Sequence, residues 1–143
     1  MGIPSPEPGL VLNYAYLWHD EHRAGQDEAR KDRPCVIVSC AAREAGGTMT
    51  VAVLPFTHSA PVEQDSAVEV PPAIKRHLGL DDASSWIVVA EGNEFVWPGY
   101  DLRRVVRTTD YAFGFLPPRF FKKVLAAFNA FHESGGSRLT PRG

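Results

Sequence analysis

Two apolar runs rich in β-branched residues, Pro34-Cys35-Val36-Ile37-Val38-Ser39-Cys40 and Thr48-Met49-Thr50-Val51-Ala52-Val53-Leu54, flank the turn-forming stretch Glu44-Ala45-Gly46-Gly47. β-Branched residues suit a pleated surface and the glycines suit a tight reversal, so this segment predicts an antiparallel hairpin. Pro34 belongs at the first position of its strand, where a missing N–H costs least. A hairpin this apolar has to be covered, and the rest of the chain offers the cover. Gly9 to Trp18 reads as a preceding strand, while Ala67–Val70, Ser85–Glu91 and Leu102–Arg107 read as further short strands. Pro71-Pro72 through Leu78, closed by Gly79, predicts one short helix, with proline just inside its start and glycine just past its end. Pro118 to Glu133 predicts a longer helix, because Phe121, Val124, Leu125, Phe128 and Phe131 fall on one face. The expectation is a mainly β fold with helices: a small, strongly curved antiparallel barrel with a short helix and a C-terminal amphipathic helix. Residues 1–8 hold three prolines and read as an extended arm. Residues 9–133 form the barrel domain, and the stretch 134–143, starting at Gly135-Gly136, is expected to be a disordered tail.

A chain of 143 residues can bury a core without disulfides or metal. No apolar stretch approaches the ~20 residues that span a bilayer. Met1-Gly2-Ile3-Pro4-Ser5-Pro6 has neither the basic nor the apolar region of a signal peptide. A cytoplasmic protein with no membrane partner is therefore expected. Cys35 and Cys40, five residues apart on one strand, fall on opposite faces if the strand is regular, which disfavours a disulfide. The net charge of −2 conceals an asymmetry: residues 1–100 carry 7 basic and 14 acidic side chains, and residues 101–143 carry 8 and 3. Such a chain is not a general nucleic-acid binder, so any nucleic-acid contact is expected to be local.

The candidate chemistry lies at the strand ends. Pro34 holds residue 33 extended, so Arg33 projects from the mouth of a strand with a planar, permanently charged fork suited to phosphate oxygens. The alternative for Arg33 is a pairing with Asp27, Glu28 or Asp32 of the adjoining loop. Thr57 places a hydroxyl at the exit of the next strand, where it can meet a phosphate or start a turn. His58 follows directly and suits proton transfer at a phosphoester, with Ser59 next to it as a substrate contact. His19-Asp20-Glu21-His22 opens the charged loop that runs to Asp32 and offers titratable groups for substrate contact. Its spacing is a poor metal signature, so no metal and no cofactor are expected. Trp86, Trp97 and Tyr100 could stack on bases, although Trp86 reads as core and Trp97-Pro98-Gly99-Tyr100 as a turn.

Gly9-Leu10-Val11 opening a strand, Arg33-Pro34-x-Val36-x-Val38-Ser39, and Leu54-Pro55-x-Thr57 resemble the MazF/PemK-like growth-inhibitor toxins of bacterial toxin–antitoxin pairs. The resemblance covers about residues 9–59, and more loosely the terminal helix. It implies a homodimeric SH3-like barrel, a small antitoxin protein as partner, and metal-independent endoribonuclease activity on single-stranded RNA. It also implies that Arg33 stabilises charge on the phosphate and that Thr57 positions the phosphate or the 2′-OH. His19, Asp20, Glu21 and His22 match by region only. The chain departs from the family's pattern at Leu10, at His58 and in the segment Glu91–Asp101. The alternative is a non-catalytic nucleic-acid-binding or regulatory module on the same fold. A metal-dependent enzyme using His19, His22 and His58 is a further rival.

Overall fold

The computed structural model describes residues 3–19, 32–42, 47–135 and 138–142. In chain order they form β1 (Leu10–Ala15), β2 (Asp32–Ala42), β3 (Met49–Thr57), a 3-10 turn (Gln64–Ser66), β4 (Ala67–Glu69), α1 (Pro72–His77), β5 (Trp86–Val88), β6 (Glu91–Val96), β7 (Ala112–Phe115), α2 (Pro118–Glu133) and β8 (Arg138–Arg142). The expected hairpin is present, with β2 and β3 antiparallel from Cys35 opposite Pro55 to Ala42 opposite Met49. The sheet order is β4-β5-β3-β2-β1-β7. β3 is long enough to be shared along its free edge. Thr50–Val53 pair with β6, and Phe56 and Thr57 pair with β5. The fold is thus mainly β and barrel-like, as expected, but the sheet does not close on itself among the described residues.

Both faces of the central strands are buried, which explains why Val36-Ile37-Val38 shows no polar alternation. Val11, Val36, Leu54 and Phe56 point into one hydrophobic cluster. Leu12, Cys35, Ile37, Val51 and Val53 point into the other, with Tyr14 and Phe95. Helix α2 covers the first cluster. Its buried residues are Phe120 and Val124, while Phe121, Leu125, Phe128 and Phe131 pack at the margin. The apolar stripe read from the spacing therefore marks the correct face but omits Phe120. Pro118 sits at the first helical position, where the absent N–H would have had no helical partner.

Three expectations need correction. The tail expected to be disordered contains β8, which runs parallel to β6 from Glu91 opposite Arg138 to Phe95 opposite Arg142. An aromatic-poor run of five residues carries no strand periodicity of its own. Its order comes from the free edge that β6 offers. The segment Glu91–Asp101, noted only as a departure from the family's pattern, supplies β6 at Glu91–Val96, and the expected turn at Trp97–Tyr100 follows it. Gly92 lets β6 approach β3 this closely, since a Cβ there would lie 2.6 Å from the Val53 carbonyl oxygen. Leu102–Arg107 is not a strand; only Leu102 bridges, to Tyr14. β7 lies further on, at Ala112–Phe115. Finally, a bulge between Ile37 and Ser39 inserts an extra residue in β2 and reverses the side-chain parity. Cys35 and Cys40 consequently adjoin the same hydrophobic cluster rather than opposite faces, and both are free thiols.

β1 stops at Ala15 because the chain then turns to β6 for its hydrogen bonds. The Leu17 N–H donates to Asn93 Oδ1 at 2.9 Å, and Asn93 Nδ2 donates to the Leu17 carbonyl at 2.8 Å. One buried side-chain amide thus replaces a strand partner for that peptide. Glu91 holds the neighbouring residues: its Oε2 accepts from Tyr16 Oη at 2.9 Å and from the His19 N–H at 2.8 Å. These bonds fix Trp18 at the edge of the cleft described next.

Candidate functional site

The start of β2 and the end of β3 open into a cleft of about 570 Å³. Arg33, Thr57, His58 and Ser59 line it together with Trp18 and Asp81, so the two strand ends singled out in the sequence do meet in one concave site. His19 is not among its lining residues. Asp20, Glu21 and His22 lie outside the described residues.

Arg33 sits opposite Tyr14 in the β1–β2 ladder, and its Nη1 donates to the Phe56 carbonyl at 3.2 Å. The guanidinium lies over the Trp18 ring at 4.9 Å. This contact orients the fork without neutralising it. Its Nε is buried and has no hydrogen-bond partner among the described residues. The expected rival pairing with Asp32 does not occur: Asp32 Oδ1 faces Arg103 Nε at 3.7 Å instead. Asp27 and Glu28 lie outside the described residues. Among the described residues, then, Arg33 is a fixed cation that makes no ion pair, although Asp32 and Asp81 line the same cleft.

The Thr57 hydroxyl accepts the Ser59 N–H at 3.2 Å. It does start a turn through its own oxygen, the alternative role open to it from the sequence. A hydroxyl that accepts one bond still has its O–H to donate, so turn formation and a phosphate contact are compatible.

His58 belongs to a closed ring of hydrogen bonds that the sequence did not disclose. Its Nε2 lies 3.1 Å from Asp81 Oδ2, and its Nδ1 lies 3.0 Å from the Ser84 carbonyl and 3.3 Å from Ser85 Oγ. Lys75 closes the ring from below: its Nζ donates to Asp81 Oδ1 at 2.8 Å, to Ser85 Oγ at 2.7 Å and to the Ala83 carbonyl. The Lys75 side chain is only 6% exposed, against 57% for His58 and 59% for Asp81. A buried ammonium with three acceptors is fully satisfied. Its hydrogen bond, ahead of the His58 charge, holds the Asp81 carboxyl below its ordinary value. Lys75 lies in the polar stretch Lys75-Arg76-His77 of α1, which in sequence looks like an ordinary solvated helix end. Nothing in the spacing marks it. Asp81, Ser85 and Trp18 likewise carry no sequence signal that makes them site residues.

Elsewhere, burial pushes the Cys35 thiol up, which makes it inert. Burial, reinforced by Glu91, also raises the Tyr16 hydroxyl. Among the described residues no group of three or more His, Cys, Asp and Glu side chains comes together, and no helix is long and apolar enough to cross a membrane.

Fold and cleft define a small mainly β domain with a cleft at the open end of its central hairpin, lined by Arg33 and Thr57. The family described as PemK-like, MazF-like toxin of type II toxin-antitoxin system matches residues 16–93, more than half of the chain, and the chain belongs to that family. The matched stretch contains every lining residue of the cleft. β7, α2 and β8 lie beyond it. No curated protein and no solved structure matches the chain.

Proposed function

We propose that the protein is the toxin of a toxin–antitoxin pair and cleaves single-stranded RNA in the cleft between Arg33 and Thr57. The 2′-OH of one nucleotide attacks the adjacent phosphorus, the bond to the 5′ oxygen of the next nucleotide breaks, and the products carry a 2′,3′-cyclic phosphate and a free 5′-OH. Arg33 stabilises the negative charge that gathers on the phosphate oxygens, and it needs no metal ion to do so. Thr57 donates its O–H to a phosphate oxygen or to the 2′-OH. His58 supplies or takes a proton once its ring leaves the bonds to Asp81 and Ser84. Ser59 and the loop beginning at His19 contact the substrate. The observation that carries this reading is Arg33 itself: a cation fixed on Trp18 and the Phe56 carbonyl, with a buried unpartnered Nε and no ion pair among the described residues.

Family membership supports a small antitoxin protein as partner. A homodimer fits the exposed apolar groups Val62 and Phe115, since such groups mark interfaces when they gather into patches. The test is incubation of the purified protein with single-stranded RNA in EDTA. Fragments ending in a cyclic phosphate support the reading. Intact RNA, bound with loss of binding in Arg33→Ala, would favour a non-catalytic module instead.

A further inference from the structure

We propose that the loop joining β6 to β7, residues 97–111, is a second contact for the RNA strand, with Tyr100 stacking on a base and Arg104 and Arg107 meeting phosphates. The proposal rests on the RNA reading above and extends it beyond the cleft. It also concerns residues outside the stretch that matches the family.

Tyr100 is the first observation. Its neighbour Trp97 stacks on Phe95 with ring centroids 6.0 Å apart, yet Tyr100 is 89% exposed. The turn between them is seated tightly, since Gly99 has φ +69° and a Cβ there would fall 2.8 Å from the Phe95 ring. An aromatic ring held on a rigid turn and left in water is a stacking platform for a flat partner.

The second observation is charge. Arg103, Arg104 and Arg107 lie within a few residues of Tyr100. Of the two acids in the loop, Asp101 is already bound by Arg142 Nη2 at 2.8 Å. Arg104 and Arg107 are exposed. Arg104 rests over the Tyr111 ring at 5.8 Å, which orients it without cancelling its charge. Arg107 holds a left-handed backbone, φ 66°, which a non-glycine residue adopts at a cost of about 1 kcal/mol or more.

The third observation is that the loop is rigid and joined to the cleft. The Ala15 N–H donates to the Asp101 carbonyl at 2.8 Å, the Arg103 N–H to the Asn13 carbonyl at 2.9 Å, and Asn13 Nδ2 to the Arg104 carbonyl at 2.8 Å. The Val105 N–H donates to the Asp110 carbonyl at 2.8 Å and closes the tip. Arg103 spans the gap: its Nη1 donates to the Tyr100 carbonyl at 2.9 Å while its Nε faces Asp32 at the cleft wall. On this proposal a strand leaving the cleft past Asp32 runs along Arg103 to Tyr100, Arg104 and Arg107. A two-fold interface with a second copy at this loop would bring arginines against their own counterparts, which disfavours that occupant.

The experiment measures binding of uniformly 2′-fluoro single strands, which lack the attacking hydroxyl, by fluorescence anisotropy. Strands of about three and about twelve nucleotides separate the cleft alone from cleft plus loop. The parent should bind the long strand more tightly. Tyr100→Ala should weaken the long strand by roughly 5- to 150-fold and so narrow the gap between the two lengths. Arg104→Gln with Arg107→Gln should lower the slope of log K against log salt by about 1.4, the value for two phosphates on a single strand. All these side chains are exposed, and thermal melts identical to the parent's will establish folding. If both variants bind the long strand as the parent does while Arg33→Ala loses both lengths, the loop is not an RNA contact and the cleft reading survives. The loop is equally excluded as an RNA contact if the variants change only dimerisation or the affinity for an acidic peptide. If the parent binds neither strand, the RNA reading fails and the loop proposal fails with it.

Discussion

Replacing Arg33 by alanine separates the chemistry of the cleft from its architecture, because the structure gives a magnitude for each. The architectural loss has two parts. One is the charged hydrogen bond to the Phe56 carbonyl, about 1.5 kcal/mol. The other is the contact with Trp18, about 0.5–1 kcal/mol at a half-exposed position. Together they amount to about 2 kcal/mol of folding stability, a fraction of the ~5–15 kcal/mol of an ordinary domain, so the variant stays folded at room temperature. The catalytic loss is larger. Removing one electrostatic stabiliser of a phosphate transition state lowers turnover by about 10²–10³-fold. A protein that remains almost wholly folded cannot show such a loss through unfolding. Arg33→Lys keeps a charge, but one ammonium cannot bond the Phe56 carbonyl, lie flat on Trp18 and grip a phosphate at once, so rescue should be partial. The assay is cleavage of labelled single-stranded RNA in EDTA, with urea unfolding run in parallel on the same preparations. Parent-like turnover in Arg33→Ala, accompanied by the ~2 kcal/mol destabilisation, would refute the catalytic argument and leave Arg33 as a structural residue.

Lys75→Met should destabilise the protein by about 1–3 kcal/mol in urea unfolding, because the buried Ser85 Oγ loses a charged donor and the exposed Ala83 loses the same donor at its carbonyl; a loss under about 1 kcal/mol would show that the ring of bonds does not hold the cleft wall. Gly92→Ala should cost about 1–3 kcal/mol by overpacking against the Val53 carbonyl, and an unchanged melting temperature would contradict the close approach of β6 to β3 at Gly92. The Asp81 carboxyl is held below its ordinary 3.8, so its contribution is complete above about pH 4 and disappears as the pH falls through its lower folded value. Acid titration followed by NMR of the Asp81 carboxyl should therefore show a depressed midpoint in the parent and a return toward 3.8 in Lys75→Met. Tyr16 is raised, so its share of stability is present below about pH 10 and is lost as the pH climbs through its folded value; absorbance at alkaline pH should show one fewer tyrosine ionising with unfolding in Tyr16→Phe than in the parent.

The sequence disclosed the parts of this molecule whose physics is local. The hairpin was legible because consecutive β-branched residues flank a glycine turn, and α2 because its apolar stripe repeats at helical spacing. Arg33 and Thr57 were legible as strand-end residues because Pro34 fixes the entry of one strand and Pro55-Phe56 precedes the exit of the next. What escaped was set by contacts distant in the chain. β8 is ordered by the edge of β6, and β6 is admitted by the missing Cβ of Gly92. The bulge after Ile37 overturned a parity argument that assumed a regular strand. Lys75 escaped for the same reason: a lysine on a short helix looks solvated until Asp81, Ala83 and Ser85 fold back over it.

That ring of bonds changes what can be asked of His58. The Ser84 carbonyl and the Asp81 carboxylate are both acceptors, so only a doubly protonated ring can donate to both at once. A neutral ring keeps the Asp81 bond through Nε2–H and turns Nδ1 into the acceptor of the Ser85 hydroxyl, 3.3 Å away. Either way both nitrogens face the wall of the cleft rather than its mouth. On the proposed reaction a base that must first leave two bonds begins from a resting state, whereas Arg33 and Thr57 line the cleft without making an ion pair there. The two kinds of residue should therefore respond differently to substitution. His58→Gln should spare substrate binding and reduce turnover less than Arg33→Ala does. Asp81→Asn removes the carboxylate charge that holds His58 at the wall, so it should alter the pH profile of cleavage while leaving the affinity for RNA unchanged. If Asp81→Asn left the profile as in the parent, His58 would be a wall residue and the protons of the reaction would move through water.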